Sequence, residues 1–331
     1  MARSARRRTL PISAVVLTLV GVALGAIWSL SAQRGGAGTS QGLEGFRSPA
    51  ARGAASAAAA DPEAPPPLCR SLRKAKVGEV RDASLEELSG LVVSRRDRGV
   101  LWAIEDSGNP AVLAALRPGG GTVGLWTVAG AENFDWEDVA TGPGGPGGVP
   151  WLYAADLGDN LRQRDHITIY RVPEPRAPAG GGTTAPAGVL RLEYPDGSHD
   201  AESFVVDPVR GTLLVVTKGV PGAVYAAGRP ERWSGTVRMR RVGNAGIAYA
   251  TAADVSADGS TVAVRGYFNV AIWQRRGREP LTATLRRQGC LSPTPLDDGQ
   301  GEAIALTRSG RSAYLVAEGV HPPVERITPE P

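Results

Sequence analysis

The 331-residue sequence predicts an all-β fold, a β-propeller of about five four-stranded blades closed by an N-terminal strand. Three observations predict it. A short apolar strand, a turn of Gly, Pro or Asp and a second short strand recur five times after residue 70. The copies lie about 48 to 65 residues apart, the range of a four-stranded blade. The last copy runs out of chain before its fourth strand, and residues 74–80, just ahead of the first copy, can supply it. Closing the ring this way removes the exposed sheet edge.

Residues 1–9 are a basic head containing Arg3, Arg6, Arg7 and Arg8. Residues 10–32 are uncharged and about the length that spans a bilayer. Basic residues ahead of an apolar run hold the head in the cytoplasm and send the rest outside. The expectation is a single-pass anchor in a bacterial cell membrane with the propeller outside. The product is secreted if the segment is a signal peptide cut near Ser29 or Ser31. Arg7-Arg8 resembles a twin-arginine signal, a match that Arg-rich heads make by chance. No Cys directly follows the apolar run, which argues against a lipoprotein anchor. Residues 33–67 are rich in Ala, Gly, Ser and Pro and cannot bury enough apolar surface to offset the entropy of ordering, so they read as a disordered linker. An Ala-rich helix at 54–60 would be marginal in water.

The propeller occupies 68–331. Its inner strands begin at Ser89, Glu137, Glu202, Ala253 and Glu302. Turns at 96–99, 142–145, 207–211, 257–259 and 308–310 supply the positive φ that tight hairpins need. Second strands follow at 100–104, 151–155, 212–217, 261–264 and 313–317, and third strands at 111–116, 167–172, 223–227, 269–274 and 323–327. Four copies carry a fourth strand, at 123–128, 189–194, 236–242 and 281–287. A sixth blade would have to hide in 176–200. Two β-sandwich domains are the alternative, but they leave the matching strand starts unexplained.

The pI near 9.3 suggests nucleic acid, and the charge distribution removes that reading. Residues 1–67 hold 7 basic and 3 acidic side chains, leaving 30 of each in 68–331. A neutral domain has no general attraction for polyanions. The basic residues are 34 Arg and 3 Lys, a bias that suits a GC-rich bacterial genome better than a function.

In a four-stranded meander, alternate loops share a face. One face collects the structural turns. The other collects Glu86, Glu87, Asp106, Asp135, Glu137, Asp156, Asp159, Asp200, Glu202, Lys218, Arg265, Asp297, Asp298, Glu302 and Glu318, with His199 and His321. Loops on a rigid scaffold are where functional residues concentrate. Aligned copies place Ser89, Glu137, Glu202, Ala253 and Glu302 at one level of the channel. Two residues earlier come Glu87, Asp135, Asp200, Thr251 and Gln300. Carboxylates this close raise one another's pKa or recruit a cation. Oxygen-only donors favour Ca2+ or Mg2+ over zinc. The candidate metal ligands are Glu137, Glu202, Glu302, Asp135, Asp200 and Asp159. The competing reading is that these acids pair with arginines or cap loop amides.

Nucleophilic catalysis has little support, because no Gly-x-Ser-x-Gly elbow is present. His199 is the one histidine worth testing as an acid or base. Cys69 and Cys290 allow a single disulfide outside the cytoplasm, with two buried free thiols as the alternative.

The motifs Asp135-Trp-Glu-Asp-Val-Ala, Asp156-Leu-Gly-Asp159-Asn160, Asp200-Ala-Glu-Ser, Val216-Thr-Lys218 and Gly301-Glu-Ala-Ile together resemble a group of bacterial secreted or anchored propeller proteins of no established activity. More distantly, the set is similar to the calcium-dependent phytase-like propellers. That resemblance implies Ca2+ held by Glu137, Glu202 and Glu302 and substrate phosphate contacted by Lys218 and Arg265; Asp106 and Asn160 of the same face are further candidate ligand-binding residues. The enzyme so implied would be a metal-dependent hydrolase of phosphate or carboxylate esters. The sequence departs from the phytases in lacking their opening Asp-Asp-Pro-Ala signature and a sixth blade, and Ser89 and Ala253 interrupt the acidic ring. A metal-free scaffold for a protein or glycan is the remaining alternative.

Overall fold

The computed structural model describes residues 66–292 and 301–330, which form five sheets arranged as the five blades of a propeller. The basic head, the apolar segment 10–32, almost all of the linker, and Asp297, Asp298 and Gln300 lie outside the described residues. Among the described residues no helix is long and apolar enough to cross a membrane.

From the channel outward, blade 1 is Leu88–Val93, Leu101–Glu105, Val112–Leu116 and Thr122–Thr127. Blade 2 is Trp136–Gly142, Trp151–Asp156, Ile167–Pro173 and Gly188–Glu193. Blade 3 is Ala201–Val206, Leu213–Thr217, Ala223–Gly228 and Arg240–Asn244. Blade 4 is Ala250–Val255, Thr261–Gly266, Val270–Gln274 and the two-residue Cys290–Leu291. Blade 5 is Gly301–Leu306, Ala313–Ala317 and Pro323–Pro329, completed by Leu72–Glu79, which pairs antiparallel with Pro323–Pro329. The N-terminal strand therefore closes the ring as its position in the sequence requires.

Two expected strands differ. Residues 281–287 do not form the outer strand of blade 4. Leu281 and Leu285, four residues apart, turn one helical face inward after Pro280, and Leu281–Thr284 is a helical turn. Cys290–Leu291 takes the strand position instead. The expected strand 236–242 is split at the buried Met239. Thr236–Arg238 runs parallel to the outer strand of blade 2, and Arg240–Asn244 completes blade 3. Segment 176–200 holds no sixth blade. It sends Gly181–Thr183 to the outer edge of blade 1 before forming the fourth strand of blade 2. These crossing segments cover two sheet edges that would otherwise be open.

The core is five apolar layers, one between each pair of neighbouring blades. Leu91, Leu101 and Ala103 of blade 1 meet Ala303, Ala305 and Val316 of blade 5. Phe204 and Val215 of blade 3 meet Ala155 and Ile169 of blade 2. At Gly90 the inner strands of blades 1 and 2 approach so closely that no side chain fits. A Cβ on Gly90 would sit 2.7 Å from the Val139 nitrogen and 2.9 Å from the Asp138 backbone. Gly90→Ala is therefore expected to cost about 2 kcal/mol, as overpacking against an unyielding backbone does. Chemical denaturation of the variant checks this, and an unchanged midpoint would contradict it.

The Cys69–Cys290 disulfide is present. It ties the segment just before the closing strand to the outer strand of blade 4.

Candidate metal centre at the channel mouth

The inner strand of every blade carries a bulge at its first turn of pairing, and the bulge decides which residues share a level. Register breaks between Leu88 and Gly90, Trp136 and Asp138, Ala201 and Ser203, Ala250 and Ala252, and Gly301 and Ala303. The bulged residues are thus Ser89, Glu137, Glu202, Thr251 and Glu302. Thr251, not Ala253, is the member from blade 4, and Tyr249, not Thr251, stands two residues before it. By residue type Asp254-Val255 matches Asp138-Val139, whereas the strand pairing places the two dipeptides two residues apart relative to their bulges.

The two hydroxyls stitch neighbouring blades. Ser89 donates to the Glu137 carbonyl at 2.8 Å and lies 3.2 Å from its Oε2, and Thr251 donates to the Gly301 carbonyl at 2.8 Å. The three glutamates are buried. Asp138 has a different place. Its Oδ2 accepts the amides of Phe204 at 2.8 Å and Ala253 at 3.1 Å, so one buried carboxyl joins blades 2, 3 and 4. Burial raises its pKa well above the usual carboxylate range.

Asp106, Asp135 and Glu137 come together, with one oxygen of each within 4.8 Å of the others. Asp135 and Glu137 belong to blade 2, and Asp106 follows the second strand of blade 1. The Asp106 amide donates to the Glu87 carbonyl, which fixes the loop. Burial, with Asp106 beside it, pushes the Asp135 carboxyl up to about 7. Burial, and then the charges of Glu202, Asp106 and Asp135, push Glu137 well above its ordinary range. Glu318 of blade 5 rises to about 8 through burial and the charges of Glu302, Asp106 and Glu87. Three converging hard oxygen donors, two of them (Asp135 and Glu137) buried carboxyls whose ionisation is disfavoured when alone, make a fitting site for a hard divalent cation.

The other expected site residues have these places. Glu202 is bonded to Lys218, whose ammonium also lies 5.1 Å from the Tyr267 ring centroid. Burial would lower the Lys218 pKa and Glu202 more than offsets this, while burial raises the Glu202 carboxyl well above its ordinary range although Lys218 pulls it down. Glu302 is buried in the same ring. Asp159 accepts the amides of Gln163 and Arg164, both at 2.8 Å, and so caps its own loop. Asp200 accepts the Asp159 amide at 3.2 Å. Asn160 is exposed. Asp156 is paired with Arg164 at 2.7 Å. Arg265, expected to contact phosphate, is fully buried within blade 4 and donates to the Ala303 carbonyl at 2.7 Å. Its guanidinium lies against the backbone of blade 5 rather than open at the mouth. His199 lies against blade 3, with Nε2 2.9 Å from the Tyr225 hydroxyl and 3.0 Å from Asp196, rather than in the carboxylate ring.

No family model matches this chain, and no curated protein matches it. Solved structures with partial likeness include a gluconolactonase from Xanthomonas campestris, 14% identical over 73% of this chain and 71% of that one, with a TM-score of 0.43. The soluble aldose sugar dehydrogenase of Escherichia coli in its apo form is 10% identical over 78% of this chain and all of its own, with a TM-score of 0.46. The WD40 repeats of RRP9 are 11% identical over 78% and 100%, with a TM-score of 0.39. The propeller assignment accordingly rests on the strand pairing of this chain itself.

Proposed function

We propose that this protein is a membrane-tethered, extracytoplasmic β-propeller that holds a divalent cation at its channel mouth and recognises a ligand or partner there. The observation that carries the reading is the convergence of Asp106, Asp135 and Glu137. Their all-oxygen chemistry favours Ca2+, with Mg2+ the second choice. The cation would bring fixed positive charge and open coordination positions to a mouth that is otherwise acidic. The tether is inferred from residues 1–32, and a disulfide suits an oxidising compartment. Ester hydrolysis of the phytase-like kind ranks behind binding. Lys218 is engaged by Glu202 and Arg265 is buried, which leaves neither poised for phosphate.

The test is a Ca2+ titration of chelator-treated full-length protein in detergent, followed by calorimetry and thermal melting. Binding at a hundredfold excess over Kd adds about 2.7 kcal/mol to stability. Asp135→Asn combined with Glu137→Gln is expected to abolish both heat and shift. No heat and no shift at millimolar Ca2+ or Mg2+ would overturn the reading. A parallel screen of phosphate and carboxylate esters separates a binding protein from a hydrolase.

A further inference from the structure

Among the described residues nine large apolar side chains are exposed, and their placement is uneven. Val77, Leu125 and Leu291 lie on the fourth strands of blades 5, 1 and 4. The other six crown the acidic mouth. Phe134 precedes Asp135, Leu161 follows Asp159, Val220 follows Lys218, and Val320 follows Glu318. Tyr249 and Phe268 flank the mouth-side ends of the inner and second strands of blade 4. These six are between 36% and 76% exposed, and they include every exposed large aromatic of the described residues. Scattered exposed apolar residues need no explanation, but a crown of them on one rim marks an interaction site.

Two further features lie in the same loops. Among the described residues, the positive-φ residues other than glycine are Arg162, Tyr249 and His321, each a crown residue or next to one. Such conformations cost energy in non-glycine residues and cluster where function demands them. Inside the crown, the Oε2 oxygen of Glu202 is buried without a hydrogen-bond partner, although its Oε1 holds Lys218. A buried carboxylate oxygen left so requires a donor from elsewhere.

We propose that the crowned mouth is a docking surface for a partner polypeptide, which inserts an Arg or Lys side chain flanked by apolar residues. The apolar flanks meet the crown, and the basic group meets the carboxylates at its centre. Aromatic residues and Arg are the groups enriched at protein interfaces and their hot spots, and this mouth offers the aromatic and acidic counterparts to them. A saccharide would use the aromatic rings and leave Leu161, Val220 and Val320 without a role. An anionic membrane would be repelled by the acids. The proposal does not rest on the cation site, because a cation held by Asp106, Asp135 and Glu137 leaves Glu87 and Glu318 to face a basic side chain.

The experiment is selection of a phage-displayed random dodecapeptide library on the full-length protein in detergent. Enriched peptides are then synthesised and titrated by fluorescence polarisation. The expected result is enrichment of Arg or Lys among apolar residues. Affinity should fall about tenfold or more in Val220→Ser/Phe268→Ser, the loss typical of central interface contacts. Ca2+ titration and melting temperature should stay unchanged in that variant, because both side chains are exposed, and Leu161→Ser provides a second check on another blade. No enrichment, enriched peptides without basic residues, or equal affinity for the crown variants would overturn the proposal. So would binding of phosphatidylcholine or phosphatidylserine vesicles, or of arrayed glycans, that competes with the peptides. Loss of Ca2+ binding in the wild type, with peptide binding intact, would count against the cation alone.

Discussion

Removing the Cys69–Cys290 bond is expected to cost about 5 kcal/mol, the value the chain-entropy account gives for so long a closed loop. The two cysteines are 221 residues apart, so the bond constrains nearly the whole propeller in the unfolded chain. In the folded state it acts at the weakest seam. Blade 4 has an outer strand of only two residues, Cys290–Leu291, and the neighbouring blade is closed by a strand from the other end of the chain. Leu68 and Leu72 bury their side chains in the apolar layer between blades 4 and 5, and Cys69 and Cys290 pack against that layer. Without the bond, the closing strand Leu72–Glu79 keeps its pairing with Pro323–Pro329 but loses the covalent hold on its entry. The melting temperature of Cys69→Ser/Cys290→Ser should fall by about 10 °C or more, given about 2–4 °C per kcal/mol for a domain of this size. Amide exchange should accelerate first in Leu72–Glu79. A melting temperature within a few degrees of wild type would show that the ring is held shut by its apolar layers alone.

The architecture was readable because blades repeat. Five turns, five second strands and an unpaired N-terminal strand give the same answer independently, and local errors cannot move it. What was not readable follows from pairing rather than composition. Residues 281–287 look like a strand, and only the buried positions of Leu281 and Leu285 show them to be a helical turn. The level of each channel residue depends on a bulge that no residue type announces, so Ala253 was aligned where Thr251 stands. Asp135 and Glu137 could be picked out by type and spacing. That Asp106 joins them depends on how blade 1 meets blade 2, and only the close approach of Gly90 to Asp138 hints at that contact. Arg265 looked like a mouth residue because it follows an apolar run, yet its guanidinium packs against the backbone of blade 5.

The pH dependence of the metal-free protein should run opposite to that of most proteins. Asp135 is raised from 3.8 to about 7, chiefly by burial and by Asp106, and Glu318 from 4.5 to about 8, chiefly by burial and by Glu302. A carboxyl with a raised folded pKa binds its proton more tightly in the native state than in the unfolded chain. Its contribution is therefore complete below about pH 4 and is lost as pH rises through the folded value. The difference between 3.8 and about 7 corresponds to on the order of 4 kcal/mol. Because Asp135 and Glu318 share the neighbour Asp106, their effects overlap rather than add. Stability without metal should thus decline from about pH 4 to about pH 8, most steeply between about 5 and 7, where the native carboxyls still hold protons that the unfolded chain has lost. A cation needs the ionised carboxylates, so Ca2+ should stabilise strongly at pH 8 and hardly at all at pH 5. Thermal melts across that range, with chelator and with Ca2+, measure both arms. Asp135→Asn/Glu137→Gln should flatten the metal-free slope and erase the Ca2+ effect together. A metal-free profile that rises with pH would mean that these carboxyls are already ionised and paired, and the mouth would then need no cation to stay charged.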